Sequence, residues 1–132
     1  MSITEGHQAL IRRIVTMSGA PNIVLPGGPG KALPRIVVQV SGGSQRTMGL
    51  SGATDSTPEI TVRVETAQKD AQGRDAYATA NDALVAALVA RFAVGGTFDG
   101  VTIEDAPLPR PALPVTDGVY SVPVIIRGRL FF

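Results

Sequence analysis

Residues 60–66 read Ile-Thr-Val-Arg-Val-Glu-Thr. Ile60, Val62 and Val64 alternate with Thr61, Arg63 and Glu65, and a period of two puts apolar side chains on one side of an extended chain and polar ones on the other. A strand of this kind belongs to a sheet with one buried face and one wet face. The pattern recurs upstream, where Ile36, Val38 and Val40 alternate with Val37 and Gln39. It recurs again near the end: Tyr120, Val122, Val124 and Ile126 share one face, and Ser121, Ile125, Arg127 and Arg129 share the other. This terminal strand is expected to run from Val119 to about Phe131. Pro123 has no backbone donor, which predicts that the strand lies at an edge or is bulged there.

Turn chemistry divides the strands. Ser41-Gly42-Gly43-Ser44 predicts a turn, followed by a return strand from Arg46 to Leu50, and residues 52–58 predict a second turn. Val101 and Ile103 mark a short strand after the Asp99-Gly100 turn, and Pro107, Pro109, Pro111 and Pro114 mark an irregular stretch. Two helices complete the pattern. In the first, Ser2 and Glu5 have capping-box spacing. Ile3, Leu10, Ile14 and Met17 recur at helical intervals, beside Ile11 and Val15 and away from Arg12 and Arg13. Gly19 and Pro21 stop it, and Gly6 weakens its first turn, so a start nearer His7 is expected.

The second helix is expected over Arg74 to Val94, with Asp70 as N-cap and Gly95-Gly96 as stop. Its apolar stripe reads Ala76, Tyr77, Ala80, Leu84, Ala87 and Leu88. Between the first helix and the first strand, residues 20–34 hold four prolines and three glycines. That composition argues against regular structure and predicts a packed arm anchored by Ile23, Val24, Leu25 and Leu33. The element order is therefore helix, arm, three strands, helix, two strands. It predicts a single α+β domain over 1–132: a mainly antiparallel sheet of about five strands with two helices packed on one face.

Composition narrows the function. At 132 residues the chain suits one domain with a core of its own, and 44% hydrophobic against 17% charged residues excludes a disordered chain. With no cysteine there is neither a disulfide framework nor a thiolate metal site. Twelve Lys and Arg against eleven Asp and Glu give a net charge of +1, which is no footprint for duplex DNA. Two Tyr, four Phe and no Trp make a base-stacking platform unexpected. Met1 to Glu5 lacks the basic start and apolar run of a signal peptide, and no apolar run approaches the ~18 residues of a membrane span. A soluble, cytoplasmically made protein with no membrane contact is the expectation.

Candidate chemistry is sparse, and no catalytic, cofactor-binding or metal-binding residue is assigned. His7, the single histidine, reads as a solvated residue of the first helical turn. Glu104 and Asp105, if on a strand, would point to opposite faces and could not serve one proton transfer. Gly27-Gly28-Pro29-Gly30-Lys31 imitates a phosphate loop, but Leu25 stands for the first Gly, Ala32 for the Ser or Thr, and Pro34 blocks a following helix. Gly49-Leu50-Ser51-Gly52-Ala53 imitates a nucleophile elbow and lacks its final Gly. Arg127 and Arg129 read either as part of a solvated sheet face or as an inter-subunit or lumen-facing basic pair. Leu130, Phe131 and Phe132 either tuck onto the core or dock on another subunit.

The succession resembles the tail terminator family of long-tailed phages and gene transfer agents. The resemblance runs through Ala20-Pro-Asn-Ile-Val-Leu-Pro26, Pro34-Arg-Ile-Val-Val-Gln-Val40, Ile60-Thr-Val-Arg-Val-Glu-Thr66 leading into a helix at Tyr77 to Phe92, Gly100-Val-Thr-Ile103, and Asp117-Gly-Val-Tyr-Ser-Val-Pro-Val-Ile-Ile126. It implies a virion protein that is no enzyme and needs no cofactor. Its subunits form a six-fold ring that caps the tail tube, ends tube polymerisation and meets a head-side stopper or connector, while DNA passes through the lumen unread. Another neck protein, or a small ligand-binding α+β domain, is the alternative. The interface residues expected on this reading are Ile23, Leu25 and Lys31 in the arm, and Pro123, Arg127, Arg129, Leu130, Phe131 and Phe132 in the terminal strand.

Overall fold

The computed structural model describes residues 3–17, 22–48, 53–69 and 77–132. The expected caps and stops at Ser2, Gly19, Pro21 and Asp70, the start of the second helix at Arg74, and Gly49 to Gly52 lie outside these residues. Helix α1 spans Ile3–Val15 and α2 spans Tyr77–Arg91. The strands are β1 Asn22–Val24, β2 Arg35–Met48, β3 Ala53–Ala67, β4 Thr97–Phe98, β5 Val101–Thr102, β6 Leu108–Pro109, β7 Val119–Arg127 and β8 Leu130–Phe131. The main sheet has the order β1-β2-β3-β7-β6, with β8 continuing along β3 beyond the end of β7. β4 and β5 form a separate ribbon around Asp99 and Gly100, both at positive φ as a tight two-residue hairpin requires.

β3 is the spine. Its even-numbered residues Ile60, Val62 and Val64 are fully buried, and they meet Leu10 and Ile14 of α1 and Leu88 and Phe92 of α2 in one core cluster. Both helices therefore lie on the same face, as the alternation of residues 60–66 predicts, and the fold is α+β. The helix ends are tied reciprocally: Arg13 Nε donates to the Arg91 carbonyl at 3.3 Å, and Arg91 Nε to the Arg13 carbonyl at 3.1 Å. Each cation satisfies an orphan carbonyl at the negative end of the other helix. The Arg13 guanidinium also covers the Phe98 ring at 4.9 Å.

Several expectations need correction. The sheet is mixed, because β1 pairs with β2 in parallel, Asn22 opposite Arg35 through Val24 opposite Val37. Thus the arm is not devoid of regular structure: three of its residues form an edge strand whose hydrogen bonds go to β2 rather than to local neighbours. The Ser41–Ser44 segment is not a turn. β2 runs unbroken from Arg35 to Met48, with a register shift between Val40 and Gly42. Gly42 and Gly43 sit at φ 120° and 129°, which only glycine holds without strain, and a Cβ on Gly43 would collide with the Thr57 carbonyl. The second turn is likewise shorter, since β3 already starts at Ala53 and carries Pro58 within it.

Gly6 does not delay α1. It is buried inside the helix, and a Cβ there would lie 2.7 Å from Pro58 Cγ and 3.3 Å from Leu130 Cδ2, so the glycine admits close approach. The apolar stripe of α2 is also different. Ala80 and Ala87 are exposed, while Asn81, Leu88 and Phe92 are buried with Leu84 and Val85 beside them. Asn81 Nδ2 donates to the Val64 carbonyl at 2.8 Å and to Thr66 Oγ1 at 3.2 Å, which binds the helix to β3. β7 ends at Arg127, short of the expected strand end, and it is interior. Arg110 N donates to the Pro123 carbonyl at 2.7 Å, so the missing proline donor faces the short strap at 108–113 and leaves the β3 ladder intact.

Candidate interaction surfaces

On the outer face of β3 the odd-numbered residues Asp55, Glu59, Arg63 and Glu65 alternate with the core positions, and the three carboxylates take arginine counterions from β2, β3, β7 and the link between β7 and β8. Arg35 Nε donates to Glu65 Oε1 at 2.6 Å, and Arg63 Nε lies 3.6 Å from Glu65 Oε2. Arg127 donates twice to Glu59 Oε2, at 3.0 and 2.7 Å, and the other Glu59 oxygen accepts from Ser41 at 3.2 Å. Arg129 makes a fork to Asp55, Nε to Oδ1 at 3.1 Å and Nη2 to Oδ2 at 2.9 Å, while its Nη1 donates to Glu104 at 3.0 Å. The hydrogen bond from Arg129 holds the Asp55 carboxyl below its usual range, against a smaller upward push from burial. The Asp55 and Glu104 hydrogen bonds in turn raise the Arg129 guanidinium above its ordinary value.

The two terminal arginines thus sit on the polar side of the sheet, each bonded to carboxylates of its own chain. Glu104 lies past the end of β5 rather than on a strand, turned to Arg129. His7 is more than a solvated residue: its Nε2 donates to the Gly42 carbonyl at 2.6 Å, tying α1 to the β2 bulge. The Gly27–Lys31 loop leads into β2, so no helix N-terminus faces it.

The three final residues divide. Leu130 is fully buried against the core, Phe132 is half-buried on it, and Phe131 is 51% exposed beneath the Arg129 guanidinium at 4.8 Å. In the arm, Ile23 packs on the core, Leu25 is 46% exposed and Lys31 is exposed. Pro123 is half-buried between β3 and the strap. Sequence reasoning missed three exposed apolar residues of the strap, Leu108, Leu113 and Val115. Their signal was present as apolar residues among prolines, where no periodicity exists to assign them a side.

A cleft of about 380 Å³ opens on the outer face between the strap and the sheet, lined by Arg35, Arg63, Glu65, Leu113, Asp117 and Ser121 among others. Ser121 Oγ is buried there without a hydrogen-bond partner among the described residues. Its lining holds two guanidiniums, Arg35 and Arg63, and two carboxylates, Glu65 and Asp117, so the cleft carries little net charge. Among the described residues no three His, Asp or Glu side chains converge as metal ligands, and no helix is long and apolar enough to cross a membrane.

The fold defines a small two-layer α+β domain with a mixed sheet under two helices. It is shared with a chain described as "Virion of native gene transfer agent (GTA) particle", with a TM-score of 0.57 and 14% sequence identity over 96% of this chain and 94% of that one. No protein-family model and no curated protein sequence matches the chain.

Proposed function

We propose that this chain is a structural virion protein of the tail terminator type, which closes into a ring on the end of a tail tube, stops its growth and joins it to the head-side connector. The observation that carries the reading is the end-to-end likeness to a gene transfer agent virion chain, 96% of one chain on 94% of the other. The sequence resemblance to tail terminators, drawn from a different set of observations, points the same way. The chemistry agrees with a role in binding: acidic groups of the outer face are paired within the chain, and Leu25, Val40, Leu108, Leu113 and Val115 expose apolar side chains at the two sheet margins, as Val15, Val94 and Phe131 do elsewhere.

A ring works as a cap because its subunits contact one another through unlike surfaces, so both rims remain available, one for the tube and one for the connector. DNA passes through the lumen unread, in keeping with a net charge of +1. The test is negative-stain imaging of the purified protein, alone and mixed with tail tubes and with connectors of its own particle. Rings, and caps at tube ends with arrested tube growth, are expected. Monomers that never decorate a tube end refute the terminator reading, and binding to the connector alone assigns the chain to another neck position.

A further inference from the structure

We infer that copies of this chain join through opposite edges of the sheet: Leu25 and Val40 at the β1–β2 edge of one copy against Leu108, Leu113 and Val115 at the strap edge of the next. The inference rests on the ring reading and names the surfaces that close the ring. It keeps Leu25 of the arm and moves the other half of the junction from the terminal strand, the second place expected from the sequence, to the strap. β7 is flanked by β3 and by β6, and the chain beyond β6 stays bonded to it through Arg110 to Pro123 and Leu113 to Ser121. Neither edge of β7 is open to a neighbour.

The two apolar groups are far apart. In the order β1-β2-β3-β7-β6 they lie at opposite margins, separated by the width of the sheet, roughly 15–20 Å at ~4.8 Å per strand. Val40 is 48% exposed and Leu108 51%. Isolated apolar side chains on a surface are ordinary, but groups at two margins are buried together only when unlike edges meet.

The margins also differ in kind, which disfavours sheet extension between like edges. Beyond Val37 no described strand pairs with the outer side of β2, so among the described residues a long backbone edge is open. Its Gly42 bulge bends that edge and breaks the register that an identical strand would need. The strap is closed in another way. Because Arg110 N points to β7, strand alternation turns the nitrogen of Pro109 outward, where it has no hydrogen to donate. Strap against strap therefore cannot extend the sheet.

Charge favours the same match. The β1–β2 side exposes Lys31 and Arg46, the latter also 4.0 Å from Asp55 of its own chain, and the strap side exposes Asp105 and Asp117, with Arg110 as an opposing charge. Area is sufficient as well. The open part of β2, residues 38–48, has 11 residues, about 37 Å of strand at ~3.4 Å each, so a strip about 22 Å deep supplies the ~800 Å² per partner of a standard interface. That depth is about the thickness of one sheet and one helix layer.

The chain contains no cysteine, so introduced thiols report one contact at a time. Val40→Cys and Leu108→Cys are made singly and together, and oxidised under conditions where the parent chain assembles, alone or on tail tubes. Expected are a disulfide dimer only when the two single variants are mixed, and a ladder of covalent oligomers ending at the ring size from the double variant. A disulfide dimer from either single variant alone overturns the inference, because like edges then meet. A parent chain that forms rings while the mixture and the double variant give no disulfide overturns the surfaces and leaves the ring reading standing. A parent chain that never assembles, with or without tubes, overturns both.

Discussion

Replacing Gly6 by alanine tests the closest contact between α1 and the sheet. In an ordinary helix interior the change stabilises by up to about 1 kcal/mol, less in a first turn such as this one. Here the new methyl carbon would lie 2.7 Å from Pro58 Cγ, 3.1 Å from Pro58 Cβ and 3.3 Å from Leu130 Cδ2. The proline ring is fixed in β3 opposite Gly43, and Leu130 is buried in the core, so neither can step aside freely. Overpacking of this kind costs about 1–3 kcal/mol. The two effects oppose each other, and the steric one is larger. Gly6→Ala should therefore destabilise by about 1–2 kcal/mol, which for a chain of 132 residues lowers Tm by about 4–8 °C. Urea unfolding followed by circular dichroism measures it. Pro58→Ala removes Cγ, the nearest atom the methyl meets, while keeping Cβ, so the double variant should show a favourable coupling of about 1 kcal/mol. An alanine variant more stable than the parent, or a coupling of zero, would refute the packing of α1 on Pro58.

Three further outcomes follow from the same contacts. Asn81→Ala removes the donor to the Val64 carbonyl and Thr66 Oγ1 and should cost about 1–3 kcal/mol in urea unfolding, although the residue is polar and sits on a helix. Leu130→Ala should cost about 2–5 kcal/mol, whereas Phe131→Ala should change stability by less than about 1 kcal/mol, which separates the core residue from the exposed one by thermal melts. Asp55 has its folded pKa depressed below its unfolded value by Arg129, so its contribution is full above the ordinary aspartate range near 3.9 and is lost as pH falls through the lower folded value. Asp55→Asn should accordingly flatten the acid limb of a stability–pH curve below about pH 4, with the neutral limb retaining its shape.

The strands were legible where a local pattern is enforced by one buried face, as at Ile60, Val62 and Val64. Reading failed where long-range pairing overrides local chemistry. Ser41-Gly42-Gly43-Ser44 has the composition of a turn, yet the chain continues because residues 42–48 pair with residues 53–59 of the opposing strand. In α2, alanine was counted as apolar, but it is a strong helix former that is equally at home in water. The exposed Ala80 and Ala87 therefore outweighed Asn81, whose burial depends on β3 acceptors that no helical period can reveal. Pro123 was read correctly as a missing donor and wrongly as an edge, because a single strand does not say which of its sides the next element covers.

The interaction surfaces were the least legible part, for a reason of topology. Whether a residue lies at a margin depends on strand order, and strand order depends on partners far away in sequence. Arg127 and Arg129 look like free cations until Glu59 and Asp55, 68 and 74 residues distant, arrive beside them. Leu25 and Leu113 look alike, each an apolar residue in a proline-rich stretch, yet one follows β1 at the first margin and the other bonds to β7 near the last. An apolar side chain in an irregular segment has no period that fixes its direction. Its exposure is decided by whether the sheet continues past it, and at these two places the sheet stops. The proposed ring requires two unlike margins, and in this chain they differ by two means: a glycine bulge on the open strand and prolines on the strap.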